Sequence, residues 1–150
     1  MAKLRDRGVL AWLYMMRVTD KLHRLEGDNL ARYDLTPAQF GVLAHLSAND
    51  GIKQQELSEM LSVTKGNICG LIDRLEKLGL VVRVSDPGDR RSNHLHLTPK
   101  GEELARVVVP ANEQFISDYM SVLSPEEQET LRSLLRRLDK SIAEDALALL

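Results

Sequence analysis

The stretch Ser62-Val63-Thr64-Lys65-Gly66-Asn67-Ile68 runs through Leu71-Ile72-Asp73-Arg74-Leu75-Glu76-Lys77-Leu78-Gly79 into Leu80-Val81-Val82-Arg83-Val84. It continues through Asp86-Pro87-Gly88-Asp89-Arg90-Arg91 to Asn93-His94-Leu95-His96-Leu97. Its reading decides the fold. Ser62 or Thr64 offers a side-chain oxygen to cap a helix. Ile68 and Ile72 fall on that helix's packing positions, and Gly79 is a natural C′ residue to end it. The pattern then switches to a β-branched run and to polar–apolar alternation at 93–97, which predicts two strands. Residues 86–91 join them as a long polar loop, making a β-hairpin.

Working outward, Gln54 to Leu61 reads as another short helix, linked to the next through Leu61-Ser62-Val63. Two short helices, a tight turn and a hairpin make a winged helix-turn-helix, whose second helix enters the DNA major groove with the hairpin beside it. Upstream, Thr36-Pro37-Ala38-Gln39 places Thr at the N-cap, Pro at the first helical position and Gln at N3, a capping box. That helix should end near Ser47, with Asn49-Asp50-Gly51 as the turn. Before it, Val9, Leu13 and Met16, then Val18, Leu22 and Leu25, step by threes and fours, predicting a helix from about Asp6 to Arg24 or beyond.

Downstream, Thr98-Pro99-Lys100-Gly101 opens a helix more weakly, because Gly101 cannot complete the box; Ser124-Pro125-Glu126-Glu127 opens the last one. Leu104, Val108, Ala111, Phe115 and Tyr119 form one helical stripe, and Leu131, Leu134, Leu135, Leu138 and Ile142 another. The expected class is mainly α (α+β), in the order α-α-α-α-β-β-α-α.

A chain of 150 residues, 43% hydrophobic and 28% charged, suits one domain, 1–150, and is too apolar for disorder. No apolar run of about 18 residues spans a membrane, and Met-Ala-Lys-Leu-Arg-Asp-Arg lacks a secretory h-region, so a soluble, cytoplasmic protein is expected. Cys69, the one cysteine, excludes an internal disulfide and a structural zinc site. Lys53 to Lys100 carries eight basic and six acidic residues, net +2, whereas 101–150 carries five against ten, net −5. The mildly basic centre is compatible with nucleic acid. There is no G-x-S-x-G elbow, P-loop, dinucleotide fingerprint or H-E-x-x-H, and four scattered histidines offer no catalytic pair, so neither an enzyme nor a cofactor is expected.

Chemistry concentrates at the start of the second motif helix. Ser62, Thr64, Lys65 and Asn67 bring hydroxyls, an ammonium and an amide, the groups that contact base edges and phosphates. Unpaired N–H groups at the helix start suit a phosphate. Gly66 and Gly70 are poor helix formers, and either let DNA approach the backbone closely or relieve helix crowding. At the hairpin tip, an arginine can enter a narrow minor groove, and Asp89 can hold a guanidinium in a fork; the plainer reading of that tip is a solvated charged turn.

These motifs together resemble the MarR family of bacterial transcription regulators. The likeness rests on Leu71 to Val81, followed by Asp86 to Arg91 and Leu95 to Thr98, with Leu35 to Phe40 and Thr98 to Gly101 extending it over nearly the whole chain. It implies a homodimer reading a pseudo-palindromic operator on double-stranded DNA, in most relatives as a repressor. It assigns residues 62–68 to the major groove, Arg91 to the minor groove, Asp89 as its brace, Arg90 to a phosphate, and Arg74 to the wing or a phosphate. Residues 36–100 would be the winged helix-turn-helix, with 1–35 and 101–150 as dimerisation helices. Apolar stripes outside the winged-helix core, and the tail from Ala143 to Leu150 with Ala146, Leu147, Leu149 and Leu150, independently ask for a partner surface.

Relatives answer to aromatic or phenolic compounds, to oxidants or to metals. Cys69 lies in the recognition helix, whereas peroxide-sensing relatives carry theirs in the first helix; its plain reading is a small buried hydrophobe. His94 and His96 share a strand face, and His23 and His45 sit on separate helices, short of a three-ligand metal site. A small-molecule pocket is the remaining expectation, lined by Trp12, Met16, Arg17 and His45, an apolar wall with a cation for an aromatic carboxylate; alternatively Trp12 and Met16 are dimer core and Arg17 a surface ion pair. The competing functional class is a winged-helix protein-interaction module without specific DNA binding.

Overall fold

Side-chain caps start most of the helices near the predicted boundaries. The computed structural model describes residues 6–148, with side chains up to Ala143. Helix α1 (Arg7–Ala31) begins at Asp6, whose carboxylate accepts the Val9 N–H at 3.0 Å, and it runs well past Arg24. Helix α2 (Pro37–Ala48) opens on the capping box: Thr36 Oγ1 accepts from Gln39 N at 3.2 Å, and Thr36 N donates to Gln39 Oε1 at 3.0 Å. Helices α3 (Gln54–Met60) and α4 (Lys65–Lys77) follow. Strands β1 (Val81–Asp86) and β2 (Asp89–Leu97) and helices α5 (Pro99–Met120) and α6 (Pro125–Ala148) complete the expected order.

Between the two alternatives for the α4 cap, Thr64 holds the position, accepting the Asn67 N–H at 3.2 Å. Ser62 instead adopts a left-handed conformation, φ 52°, in the turn. That conformation costs a non-glycine residue about 1 kcal/mol, offset here by Ser62 N–Glu59 O at 3.1 Å and Val63 N–Ser58 O at 3.0 Å. At the other end, Gly79 (φ 71°) donates to Glu76 O, and Leu80 N donates to Leu75 O. This Schellman closure turns the chain directly into β1.

The antiparallel hairpin corrects the expected long loop. Only Pro87 and Gly88 separate the strands, and pairing jumps from Ser85↔Asn93 to Asp86↔Asp89. Arg90, Arg91 and Ser92 are therefore the surplus residues of an irregularity in β2. Two side chains set this: Asp86 Oδ1 accepts Gly88 N at 2.8 Å, and Asp89 Oδ1 accepts Arg91 N at 3.0 Å, the local Asx bonding that favours turns over ladders.

The chain divides into two compact units, the first ending at Glu113 and the second starting at Gln114. In the first, the core gathers Leu30, Leu35, Val42, Leu43, Leu46, Leu57, Ile68, Leu71, Ile72, Leu75, Leu80, Val81, Leu95, Ala105 and Val108. Leu30 is the one residue α1 contributes to that buried set; Val9, Leu10, Trp12, Leu13, Met16 and Val18 stay exposed. In the second unit, Ser124 and Glu127 cap α6 reciprocally, and Leu131, Leu134, Leu135, Leu138 and Ile142 form an exposed stripe. The side chains of Ala146, Leu147, Leu149 and Leu150 lie outside the described residues. Among the described residues no helix is long and apolar enough to cross a membrane.

Candidate nucleic-acid interface

The start of α4 faces solvent. Thr64, Lys65, Gly66 and Asn67 are exposed, while Ile68, Leu71, Ile72 and Leu75 of the same helix are buried. A Cβ added at Gly66 would meet nothing within 4 Å, so crowding does not explain that glycine. Asp89, Arg90 and Arg91 are also exposed. A groove of about 510 Å³ brings Lys65 of α4 together with Asp89 and Arg91 of the wing, and adds Lys53, Gln54, Gln55, Ser58, Glu59, Ile68, Ser92 and Asn93. Reading the sequence missed the polar α3 residues Gln54 and Gln55 here; an amide pair opening a short helix beside the motif turn was the available signal.

The structure adds detail to two expected roles. Asp89 braces the Arg91 main chain; among the described residues no ion pair joins its carboxylate to the Arg91 guanidinium. Arg74 is exposed, and among the described residues it is Arg83 whose hydrogen bonds tie the wing to α4. From β1, its Nε donates to Gln54 Oε1 of α3 at 2.9 Å. Its Nη1 reaches Asp73 Oδ1 at 2.7 Å and Glu76 Oε2 at 2.6 Å, and its Nη2 reaches the Cys69 carbonyl at 3.1 Å, all on α4. Burial alone would lower the Arg83 pKa, but the bonds and attraction of Asp73 and Glu76 outweigh it and raise it. One planar fork thus lashes α3, α4 and the wing together.

Cys69 is half-buried, and its Sγ accepts from Gln54 Nε2 at 3.1 Å, so it belongs to the same cluster. His94 and His96 are engaged with Asp86 and Asp50. Among the described residues no group of three or more His, Cys, Asp or Glu side chains is gathered to hold a metal.

The four candidate effector residues are not joined in one chain. Trp12, Met16 and Arg17 are exposed on α1, with the Arg17 guanidinium 5.6 Å from the Tyr14 ring centroid. His45 is half-buried and turned onto its own helix, Nδ1 being 2.8 Å from Gly41 O. Among the described residues, no hydrogen bond or ring contact links His45 to the other three.

A family model described as MarR family matches residues 33–92, from the turn after α1 into β2. An HTH-type transcriptional regulator of Bacillus cereus is 36% identical over 140 residues, which span 91% of this chain and 93% of that protein. The chain belongs to the MarR family of transcriptional regulators. Among solved structures, the crystal structure of the S. aureus MepR–DNA complex is similar with a TM-score of 0.79 at 26% identity, over 87% of this chain and 96% of that one. The PcaV transcriptional regulator from Streptomyces coelicolor, in complex with its natural ligand, is similar with a TM-score of 0.77 at 26% identity, over 95% and 99% of the two chains.

Proposed function

We propose that this MarR-family regulator is a cytoplasmic homodimeric repressor that binds a pseudo-palindromic operator and is released by an aromatic or phenolic effector. The observation that carries the DNA reading is the solvent-facing start of α4 beside an exposed arginine wing, two elements locked to each other through Arg83. In this reading residues 36–100 read DNA, and 1–35 and 101–150 dimerise. Thr64 and Asn67 reach base edges, while Lys65, Arg74 and Arg90 reach phosphates. Ser62 presents its hydroxyl from the motif turn, Gly66 admits the backbone close to the groove, and Asp89 shapes the wing main chain that carries Arg91 into the minor groove.

Homodimerisation is supported by the exposed apolar stripes of α1 and of α6, each too extensive for a solvated face. A two-fold axis then sets the half-sites about 34 Å apart. The ligand-bound PcaV supports a small-molecule effector, for which Trp12, Met16, Arg17 and His45 are the proposed contacts.

Selection of genomic fragments by the purified dimer at two salt concentrations tests this. The expected result is an enriched pseudo-palindrome whose affinity falls steeply with salt, and a roughly 10- to 100-fold loss in Arg91→Ala, the size of one well-placed specific contact. No DNA retained at either salt would sink the reading in favour of a protein-interaction module. Aromatic carboxylates added to the recovered complex should displace the dimer; indifference to all of them removes that effector class.

A further inference from the structure

Both ring nitrogens of His94 face acceptors. Nδ1 lies 2.7 Å from the Gly51 carbonyl oxygen in the α2–α3 turn, and Nε2 lies 3.1 Å from Asp86 Oδ2 at the end of β1. A carbonyl and an ionised carboxylate only accept, so a neutral imidazole with its single N–H satisfies one of them and the imidazolium satisfies both. Asp86 is held ionised: the Gly88 N–H on its Oδ1 and the bond to His94 draw its pKa below the usual carboxylate value. His96, two residues on, differs in that the hydrogen bond of its ring among the described residues is to Asp50 Oδ2, at 2.9 Å.

The two acceptors of His94 lie on different elements, the α2–α3 turn and the wing, and the two ends of the wing are fixed differently. At its base, β2 is tied to the α2–α3 turn through main-chain bonds, Gly51 N to Leu95 O and Leu95 N to Ile52 O. Towards the tip the strand register breaks between Ser85 and Asp86, and there the imidazole and Lys53 Nζ, 4.0 Å away, reach Asp86 from outside the turn.

We propose that His94 is a positioning residue of the DNA interface, its protonated ring tying the wing tip at Asp86 to the α2–α3 turn, so that operator affinity falls as pH rises. The proposal rests on the wing being a DNA contact. The charged groups around the ring are Asp86 from β1 and Lys53 from the segment before α3, with Glu56 of α3 held on the Lys53 N–H at 3.4 Å. The Gly51 bond first and the Asp86 bond second raise the His94 pKa, against burial and the Lys53 charge. A raised folded-state value means the doubly bonded anchor is complete below the ordinary 6.5 and is lost as pH climbs through the raised value.

The test has two arms. NMR titration of the free protein follows the His94 ring together with the Gly51 and Gly88 amides. Operator affinity is measured from pH 5.5 to 9 for wild type, His94→Gln and Asp86→Asn at constant salt, with melting curves to confirm folding. We expect His94 to titrate above 6.5, with both amides following it. Wild-type affinity should drop about tenfold across that step, equivalent to one hydrogen bond of about 1.4 kcal/mol; His94→Gln should show no such step, and Asp86→Asn should move it to lower pH. A ring titrating at or below 6.5, or identical affinity–pH curves in wild type and His94→Gln, overturns the proposal. A wild type that binds no operator at any pH defeats the DNA reading, and the free-protein arm then decides the anchor alone.

Discussion

Replacing Arg83 with alanine removes four side-chain hydrogen bonds at once, to Gln54, Asp73, Glu76 and the Cys69 carbonyl. Bonds to a charged group contribute about 1.5–3 kcal/mol each when shielded, so an undiscounted sum exceeds 6 kcal/mol. Exposure cuts this down. The Asp73 side chain is 58% exposed and that of Glu76 33%, against 20% for Arg83, and water recovers most of what the carboxylates lose. The bonds to Gln54 and Cys69 O, with the packing of the arginine stem, are less replaceable. The expected destabilisation is about 2–3 kcal/mol, with Arg83→Lys recovering under half because an ammonium cannot reproduce the fork. Urea unfolding at fixed protomer concentration reads it, since dimerisation would otherwise shift the midpoint. A loss below about 0.5 kcal/mol, the range of ordinary surface substitutions, would refute the claim that this guanidinium holds α3, α4 and β1 together.

Gly101→Ala should be among the most damaging small substitutions: an added Cβ would lie 2.1 Å from the Leu80 carbonyl oxygen. A loss of about 3 kcal/mol, the upper end of overpacking costs, is expected in the same unfolding assay. Gly66→Ala should do the reverse, raising stability by roughly 0.5–1 kcal/mol because the added methyl meets open space. If the operator approaches the α4 backbone there, the same variant should bind DNA more weakly, and unchanged affinity would remove Gly66 from the interface.

What could be read from the sequence is what neighbours in the chain decide. Thr36 with Gln39, Ser124 with Glu127, and Gly79 closing α4 are bonds within four residues, and each lies where the pattern placed it. The hairpin loop was overestimated because two Asx bonds, from Asp86 and Asp89, decide where pairing resumes. Arg83 was hidden inside a run read as β-branched. Its partners lie up to 29 residues away, and the available hints were a lone charge in that run and two carboxylates three apart on the preceding helix. Gly101 looked like a defective cap, whereas it is the point where α5 crosses the Leu80 main chain. In the proposed dimer the candidate effector residues would draw on a second copy of the chain, whose position no pattern in one chain locates.

These attachments also bear on how the proposed effector would act. A hundredfold loss of operator affinity needs about 2.7 kcal/mol of coupling. Pulling the wing away from α4 breaks the Arg83 cluster, which costs about as much by the reasoning above. It also strains the Thr98 hydroxyl, which donates to Gly79 O at 2.6 Å and accepts the Gly101 N–H at 3.1 Å, coupling the end of α4 to the start of α5. Changing the separation of two intact reading blocks in a dimer breaks none of these bonds, and half-sites one helical turn apart make affinity sensitive to that spacing. Release by altered spacing, with each block preserved, is therefore the cheaper route. It predicts that effector binding leaves the Gly51, Gly79 and Arg83 amide resonances nearly unmoved; large shifts there would place the change inside the block instead.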